Sequence, residues 1–314
     1  MNEAGNKPMH VSVVIVGFRN PGDLVRCLGA LEATAYPHFE VVVVENGGHA
    51  AYEQDLAMLP AELSGGRKVT LVEAPGNLGF AGGVNYGINR SADADAWWVL
   101  NPDAVAAPDA LGELVGRLEA GDCDATGGVL HFDNGRIQSL GGIWQTWLAR
   151  AVSIGAGDPV DTPRDAAAVE SRLDYLVGAS MLIHRRFTDK VGLMREDYFL
   201  YAEEIEWFLR GAKAGTRLGF APKARVLHYQ GTTTGWSEGL STRPKMPIYL
   251  DERNRLLLTR DTYPLLTPVV AIGSLAFMLA RFGRKRAWKQ IGFGVKGWLA
   301  GLAGERGVPG WMKA

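Results

Sequence analysis

Val11–Val16 (VSVVIV), Glu40–Glu45 (EVVVVE), Val69–Val72 and Trp97–Leu100 (WWVL) are short, continuous apolar runs separated by stretches of helix length. Runs of this kind, rich in β-branched residues, are buried on both faces. A largely parallel sheet with helices on either side provides that environment. The intervening segments agree. After the first run Leu24, Cys27, Leu28 and Leu31 share one helical face, and further helical patterns lie near residues 51–59, 80–91 and 109–119. The pattern predicts an α/β fold: a mixed, mostly parallel sheet flanked by helices. Ligands of such sheets bind beyond the carboxyl ends of the strands, so the loops after Val16, Val44, Val72 and Leu100 are expected to carry the chemistry.

Past residue 125 the pattern changes. Gly127-Gly128, Asp133-Asn134-Gly135 and Gly141-Gly142 punctuate short strand-like pieces, with Asp-Asn-Gly a hairpin turn. Residues 155–170 have no apolar period and read as a mobile surface loop. Order resumes from Tyr175 with a strand (YLVGASMLI), a helix over about 203–214 and a short strand over Arg225–His228. The chain is 47% hydrophobic and 21% charged, enough for a real core, and its net charge of −1 excludes a generally basic nucleic-acid binder. Cys27 and Cys123 cannot form a disulfide framework or a cysteine-rich zinc module. The start, MNEAGNKPMH, has no apolar signal core, which makes the cytoplasm the expected compartment.

Charge divides the chain. Residues 243–314 carry 13 Lys/Arg against 4 Asp/Glu, whereas residues 1–242 carry 20 against 30. Within the basic part Leu265–Ala280 is apolar but only 16 residues long and contains Pro268, against roughly 20 for a membrane-spanning helix. Arg281, Arg284, Lys285, Arg286 and Lys289 follow, and then Trp288, Ile291, Val295, Trp298, Leu299 and Leu302 fall on one helical arc. Two readings stand: a helix in the interface of the inner face of the cell membrane, or a hairpin packed on the main domain or a second subunit of a homo-oligomer.

Four segments carry candidate chemistry. The first two strands end in Gly17-Phe18-Arg19-Asn20 and Glu45-Asn46-Gly47, where a carboxylate can accept hydrogen bonds from a base or ribose, though Asn-Gly is also a common turn. Asn77, Phe80, Ala81, Gly82 and Gly83 belong to a glycine-rich strand-to-helix junction that offers free amide donors; it matches neither GxGxxG nor a P-loop. Asn101-Pro102-Asp103 ends a buried strand with a lone acid, the usual complement to phosphate oxygens and water around Mg²⁺ or Mn²⁺; a helix cap is the ordinary alternative. Glu203 and Glu204 open a helix after four apolar or aromatic residues. Macrodipole complementarity explains acids there, but desolvation would also raise one to a general base's pKa.

The series VSVVIVGFRN, FEVVVVENGG, GNLGFAGGVNYGI, WVLNPDA, VGASMLIHRR, YFLYAEEIEWFLR and VLHYQG resembles, in order and spacing, the bacterial family 2 glycosyltransferases, and within them the rhamnosyltransferase-like branch. The resemblance covers about residues 10–260. It implies a GT-A fold over 1–242, with a donor half of about 10–125 and an acceptor half of about 126–242, followed by a basic amphipathic helical region, 243–314. It implies an inverting transfer from a nucleotide-diphospho-sugar, L-rhamnose from dTDP-rhamnose at branch level, to a glycan or polyprenyl-diphosphate-linked hydroxyl, with Mn²⁺ or Mg²⁺. By position Gly17, Phe18, Arg19 and Glu45 would frame base and ribose. Asn77 and Phe80 to Gly83 would lie against the donor, Asn101 to Asp103 at its diphosphate, and Gly178 and Ala179 in the cleft. Asp103 and His228 would hold the metal, and Glu204, with Glu203 as the alternative, would be the base.

The chain departs from the family pattern at three of these positions. Asn101 replaces the first acid of D-x-D, Glu45 stands where Asp is usual, and Glu204 replaces the Asp of an E-D pair. Arg253 is expected either to add charge at the diphosphate or to be a plain surface-helix arginine. Two other readings remain: a nucleotidyltransferase, which Gly17-Phe18-Arg19-Asn20-Pro21-Gly22-Asp23 matches poorly, and a sugar-binding subunit without catalysis.

Overall fold

The computed structural model describes residues 8–229 and 239–312. Gln230 and Gly231 of the VLHYQG motif lie outside them, as do the first seven residues and the last two. The first half alternates as the apolar runs require: β1 (Val11–Gly17), α1 (Pro21–Glu32), β2 (Phe39–Glu45), α2 (His49–Met58), β3 (Glu62–Leu63), β4 (Arg67–Glu73), α3 (Gly79–Arg90), β5 (Ala96–Leu100) and β6 (Ala104–Ala106). The second half adds α4 (Ala110–Glu119), β7 (Ala125–His131), β8 (Ile137–Ser139), β9 (Gly142–Gln145), β10 (Arg150–Ser153), α5 (Ala166–Glu170), β11 (Ser180–His184), α6 (Arg185–Val191), α7 (Glu203–Lys213) and β12 (Leu218–His228). Three helices close the chain: α8 (Lys245–Thr262), α9 (Thr267–Gly283) and α10 (Trp288–Ala303).

One sheet of ten strands carries both halves, in the order β3-β4-β2-β1-β5-β11-β7-β12-β6, with β8 paired to β7. β4, β2, β1 and β5 run parallel, and β11 runs antiparallel to both of its neighbours. The Val-rich strands are buried on both faces. Leu24, Cys27, Leu28 and Leu31 of α1 are buried on one face of the sheet, and Val84 and Ile88 of α3 on the other. Asp-Asn-Gly does turn a hairpin between β7 and β8, with Gly135 at φ +73°.

Three local expectations change. Residues 155–170 are pinned rather than mobile: Ile137 donates to the carbonyl of Asp158, Val160 to that of Gly135, and Asp165 caps α5. One turn of helix with a single buried side chain, Val169, is too short to show a period. In YLVGASMLI only the second half is strand, because Val177–Ser180 forms a turn closed by a backbone bond. The strand ending at His228 begins at Leu218, with a register shift between Phe220 and Arg225 that hides its alternation.

In the tail Pro268 starts α9 instead of interrupting it, since the first turn needs no proline N–H. With the preceding single turn, Pro264–Gly283 makes 20 helical residues of mean hydropathy 1.8, long and apolar enough to cross a membrane by length and composition alone. α10 packs on the main body through its glycine face and through part of its apolar arc: Ile291 and Val295 lie half-buried against Ile248, Met278 and Phe282, and Trp298 donates from Nε1 to the carbonyl of Ala271. Gly294, Gly297 and Gly301 face Met278 and α8 so closely that a Cβ at Gly297 would lie 2.2 Å from the carbonyl oxygen of Tyr249. The rest of the arc is left outward, with Trp288, Leu299 and Leu302 exposed beside Leu265, Val269, Ile272 and Leu279 of the α9 region.

Candidate active site

A cleft of about 390 Å³ opens at the carboxyl ends of β1, β2 and β5. Parallel pairing sets its first wall, where Phe18, Asn46 and Asn77 line it. The reversal of β11 sets its floor: Ser180 pairs with Leu100, so Gly178 and Ala179 sit beside Asn101, whose N–H donates to the carbonyl of Ala179. At the far end β12 pairs with β6 so that His228 lies opposite Ala104, which delivers its imidazole to Asp103 from 125 positions away.

Nε2 of His228 lies 3.1 Å from Oδ1 of Asp103 and 3.2 Å from Nδ2 of Asn101, and both Asp103 and His228 are 5% exposed. Nδ1 lies 2.8 Å from Oε1 of Gln138, which accepts its proton. Nε2 is left facing the Asp103 carboxylate and the Asn101 amide at the cleft wall. One carboxylate and one imidazole, with room for phosphate oxygens and water, suit a hard divalent ion. Among the described residues no three His, Cys, Asp or Glu side chains converge, so any such ion takes its remaining ligands from elsewhere.

Glu203 and Glu204 occupy the first turn of α7 and both line the cleft. Glu203 is 1% exposed, its Oε2 has no hydrogen-bond partner among the described residues, and burial pushes its pKa well above the ordinary range. Burial there favours the protonated form. Glu204 is only partly covered, and burial against two helix N–H bonds leaves its pKa pushed up to about 7. Of the two, Glu204 is therefore the carboxylate that gains and loses a proton near neutrality.

Asn101, Pro102, Asp103 and Phe80 line the cleft with the residues already named, but other predicted positions do not. Glu45 is wholly buried behind the wall, where its Oε1 accepts the N–H groups of Arg19 (3.0 Å) and Gly47 (2.6 Å). It ties two loops together. Gly17 lies against it: a Cβ there would meet Oε2 of Glu45 at 2.6 Å. Beneath, buried Asp55 has its pKa pushed up to about 7, by burial first and by Glu45 second. Arg19 donates from Nε to the carbonyl of Gly47 and stacks over Phe18, outside the cleft lining. Ala81, Gly82 and Gly83 are buried in α3, where Gly83 permits close contact with Val16 and Asn46. Arg253 is 1% exposed and bonds the carbonyls of Tyr198 and Gly307, so it faces neither solvent nor the cleft.

Sequence reasoning missed Gln138, Met246 and Met312 on the cleft wall. Gln138 carries no pattern that singles it out, and the two methionines belong to the C-terminal region, where no motif marks a contact with the cleft. Asn46 was passed over as a turn residue, yet its amide donates to the carbonyl of Gly79 at 2.8 Å and so joins the β2 loop to α3.

The family model described as "Glycosyltransferase like family 2" matches residues 8–245. A low-salt glycan biosynthesis hexosyltransferase of Haloferax volcanii is 22% identical over 95% of this chain and 93% of its own length. An N-acetylglucosaminyl-diphospho-decaprenol L-rhamnosyltransferase of Mycobacterium tuberculosis is 26% identical over 71% of this chain and 77% of its own. Among solved structures, a mannosyltransferase of Pyrobaculum calidifontis in complex with GDP-Man and Mn²⁺ superposes with a TM-score of 0.56 and 16% identity, covering 95% of this chain and 88% of that one. GalNAc-T7 with UDP, GalNAc and Mn²⁺ gives 0.58 at 16% identity; 80% of this chain matches 51% of that one. The fold is that of the GT-A glycosyltransferases.

Proposed function

The chain belongs to the glycosyltransferase-like family 2, and from that premise we propose an inverting, divalent-metal-dependent sugar transfer from a nucleoside-diphosphate donor to an acceptor hydroxyl in cell-envelope polysaccharide assembly. The chain is a glycosyltransferase; the donor, metal and acceptor are the substance of the proposal. What carries it is that Asp103, His228 and Glu204, from three distant parts of the sequence, line one cleft.

Asp103 and His228 would hold Mn²⁺ or Mg²⁺, whose charge offsets that of the departing diphosphate. Gln138, 2.8 Å from Nδ1, holds the imidazole so that Nε2 would be the nitrogen available to such an ion. Glu204 accepts the proton of the acceptor hydroxyl as that oxygen attacks the anomeric carbon. The carbon's bond to the diphosphate oxygen breaks, its electron pair leaves with the nucleotide, and configuration inverts in one displacement. Holding donor and acceptor in line contributes on the order of 7 kcal/mol in ideal intramolecular cases.

The mycobacterial relative's name supports L-rhamnose as the sugar and a polyprenyl-diphosphate-linked acceptor. Such an acceptor lies in a membrane. The exposed apolar side chains of α9 and α10, with exposed Arg284, Lys285 and Arg286 between the helices and Lys289 at the start of α10, support docking of the tail on an anionic lipid surface at the inner face of the membrane. The test is donor binding and turnover with a panel of nucleotide sugars, with and without Mn²⁺. Asp103→Ala is expected to lose metal-dependent donor binding, and Glu204→Gln to keep donor binding and lose transfer. Normal turnover by Glu204→Gln removes the base assignment.

A further inference from the structure

The segment leading into α7 is held in a conformation that ordinary residues avoid. Phe199 has φ 68° and ψ −57°, and Leu200 donates to the carbonyl of Tyr198 at 2.9 Å. This is a γ-turn of the rare positive-φ form. Tyr201 at φ 74° and Ala202 at φ 69° follow, so three non-glycine residues with positive φ fall within four positions just before Glu203 and Glu204. Backbone of this kind persists only where its surroundings enforce it.

The surroundings are two buried neighbours on α8. Asn254, 0% exposed, places Nδ2 at 3.0, 2.8 and 2.7 Å from the carbonyl oxygens of Tyr198, Leu200 and Tyr201. Arg253 donates from Nε to Oδ1 of Asn254 (2.8 Å), which turns the amide so that its NH₂ faces those carbonyls. Its other two nitrogens reach the carbonyls of Tyr198 (2.8 Å) and Gly307 (2.7 Å). From the donor side, Phe80 at the start of α3 donates to the carbonyl of Phe199 at 2.9 Å. The turn is thus gripped between the glycine-rich donor loop and the C-terminal region.

We propose that Arg253 and Asn254 are positioning residues for the transfer: by clamping the Tyr198–Ala202 carbonyls they hold the strained turn that fixes where the Glu204 carboxylate stands relative to the acceptor. The proposal rests on Glu204 being the base. It also makes the C-terminal region part of the catalytic apparatus, because the Gly307 carbonyl anchors Arg253. The charged and titratable groups acting on Glu204 are Asp251 of α8, Glu203 of its own helix and Tyr175 ahead of β11.

The test uses full-length Asn254→Ala and Arg253→Lys beside Glu204→Gln, each checked by thermal melting and by donor nucleotide-sugar binding. The clamp predicts donor affinity within about threefold of wild type, and kcat about 100-fold lower for Asn254→Ala, the loss a misplacement near 1 Å can cause. It also predicts that the acid limb of kcat moves from about 7 towards lower pH as a loosened turn lets water reach Glu204. Arg253→Lys keeps charge and volume and should show the same changes in weaker form; it decides the matter should Asn254→Ala not fold. Unchanged kcat and limb in a folded variant overturns the clamp, and so does an equal fall in donor affinity and kcat, which marks a general structural role. Normal turnover by Glu204→Gln defeats the base assignment instead, so the two failures are told apart.

Discussion

A base kept protonated to near neutrality should make the wild type less stable than its own inactive variant. In the folded protein the Glu204 carboxyl holds its proton up to about 7, while the unfolded chain releases it near 4.5. Between those values the folded state binds more protons, so stability is present below about 4.5 and is lost as pH rises through about 7. The gap of about 2.5 pH units, at about 1.4 kcal/mol each, sets a ceiling near 3 kcal/mol. Water at the partly open carboxyl reduces this to about 1–2 kcal/mol. Glu204→Gln has no proton to lose there. Urea unfolding followed by tryptophan fluorescence should therefore show the variant gaining about 1–2 kcal/mol on wild type between pH 5 and pH 8. A stability difference that is the same at both pH values refutes the reasoning.

Gly79→Ala should destabilise by about 2–4 kcal/mol and abolish turnover, since φ +73° disfavours a side chain and the new Cβ would lie 2.0 Å from the carbonyl oxygen of Phe199; a urea melt measures the first and a transfer assay the second. Gln138→Leu should weaken Mn²⁺-dependent donor binding about 10–100-fold in calorimetry while metal-free binding is unchanged, because Nδ1 of His228 loses the partner that orients it. Replacing Arg284, Lys285, Arg286 and Lys289 together by Glu should abolish flotation with anionic vesicles, each basic residue contributing about 1 kcal/mol near such a surface. Persistent flotation would reject the electrostatic account, and a dimer in sedimentation would assign the apolar arc to a second copy of the chain.

The parallel half of the sheet was legible because Val11–Val16 and Glu40–Glu45 have no polar face to present. The position of the cleft-lining loops follows from strand direction alone. The meeting of Asp103 with His228 was legible only through resemblance, since β6 joins β12 by pairing over more than 100 positions and no local pattern encodes a non-local register. The tail was legible only in part, for a physical reason. Apolar periodicity marks the face a helix hides when side chains do the packing, but the closest docking of α10 is through Gly294, Gly297 and Gly301, where backbones touch and hydropathy is silent, and only Ile291, Val295 and Trp298 of the apolar arc join it. Arg253 misled likewise: a guanidinium in sequence suggests an anion, and here its partners are the carbonyl oxygens of Tyr198 and Gly307.

The reversed strand β11 has a mechanical consequence. Hydrogen bonded to β5 on one edge and to β7 on the other, it stitches the parallel strands β4, β2, β1 and β5 and the strands β7, β12 and β6 into one pleated surface. Two bodies joined that way cannot swing apart like jaws. Entry of one reactant and exit of another must then be managed at the rim, by the segment around Tyr201 and by Met246 and Met312 from the chain's last helices.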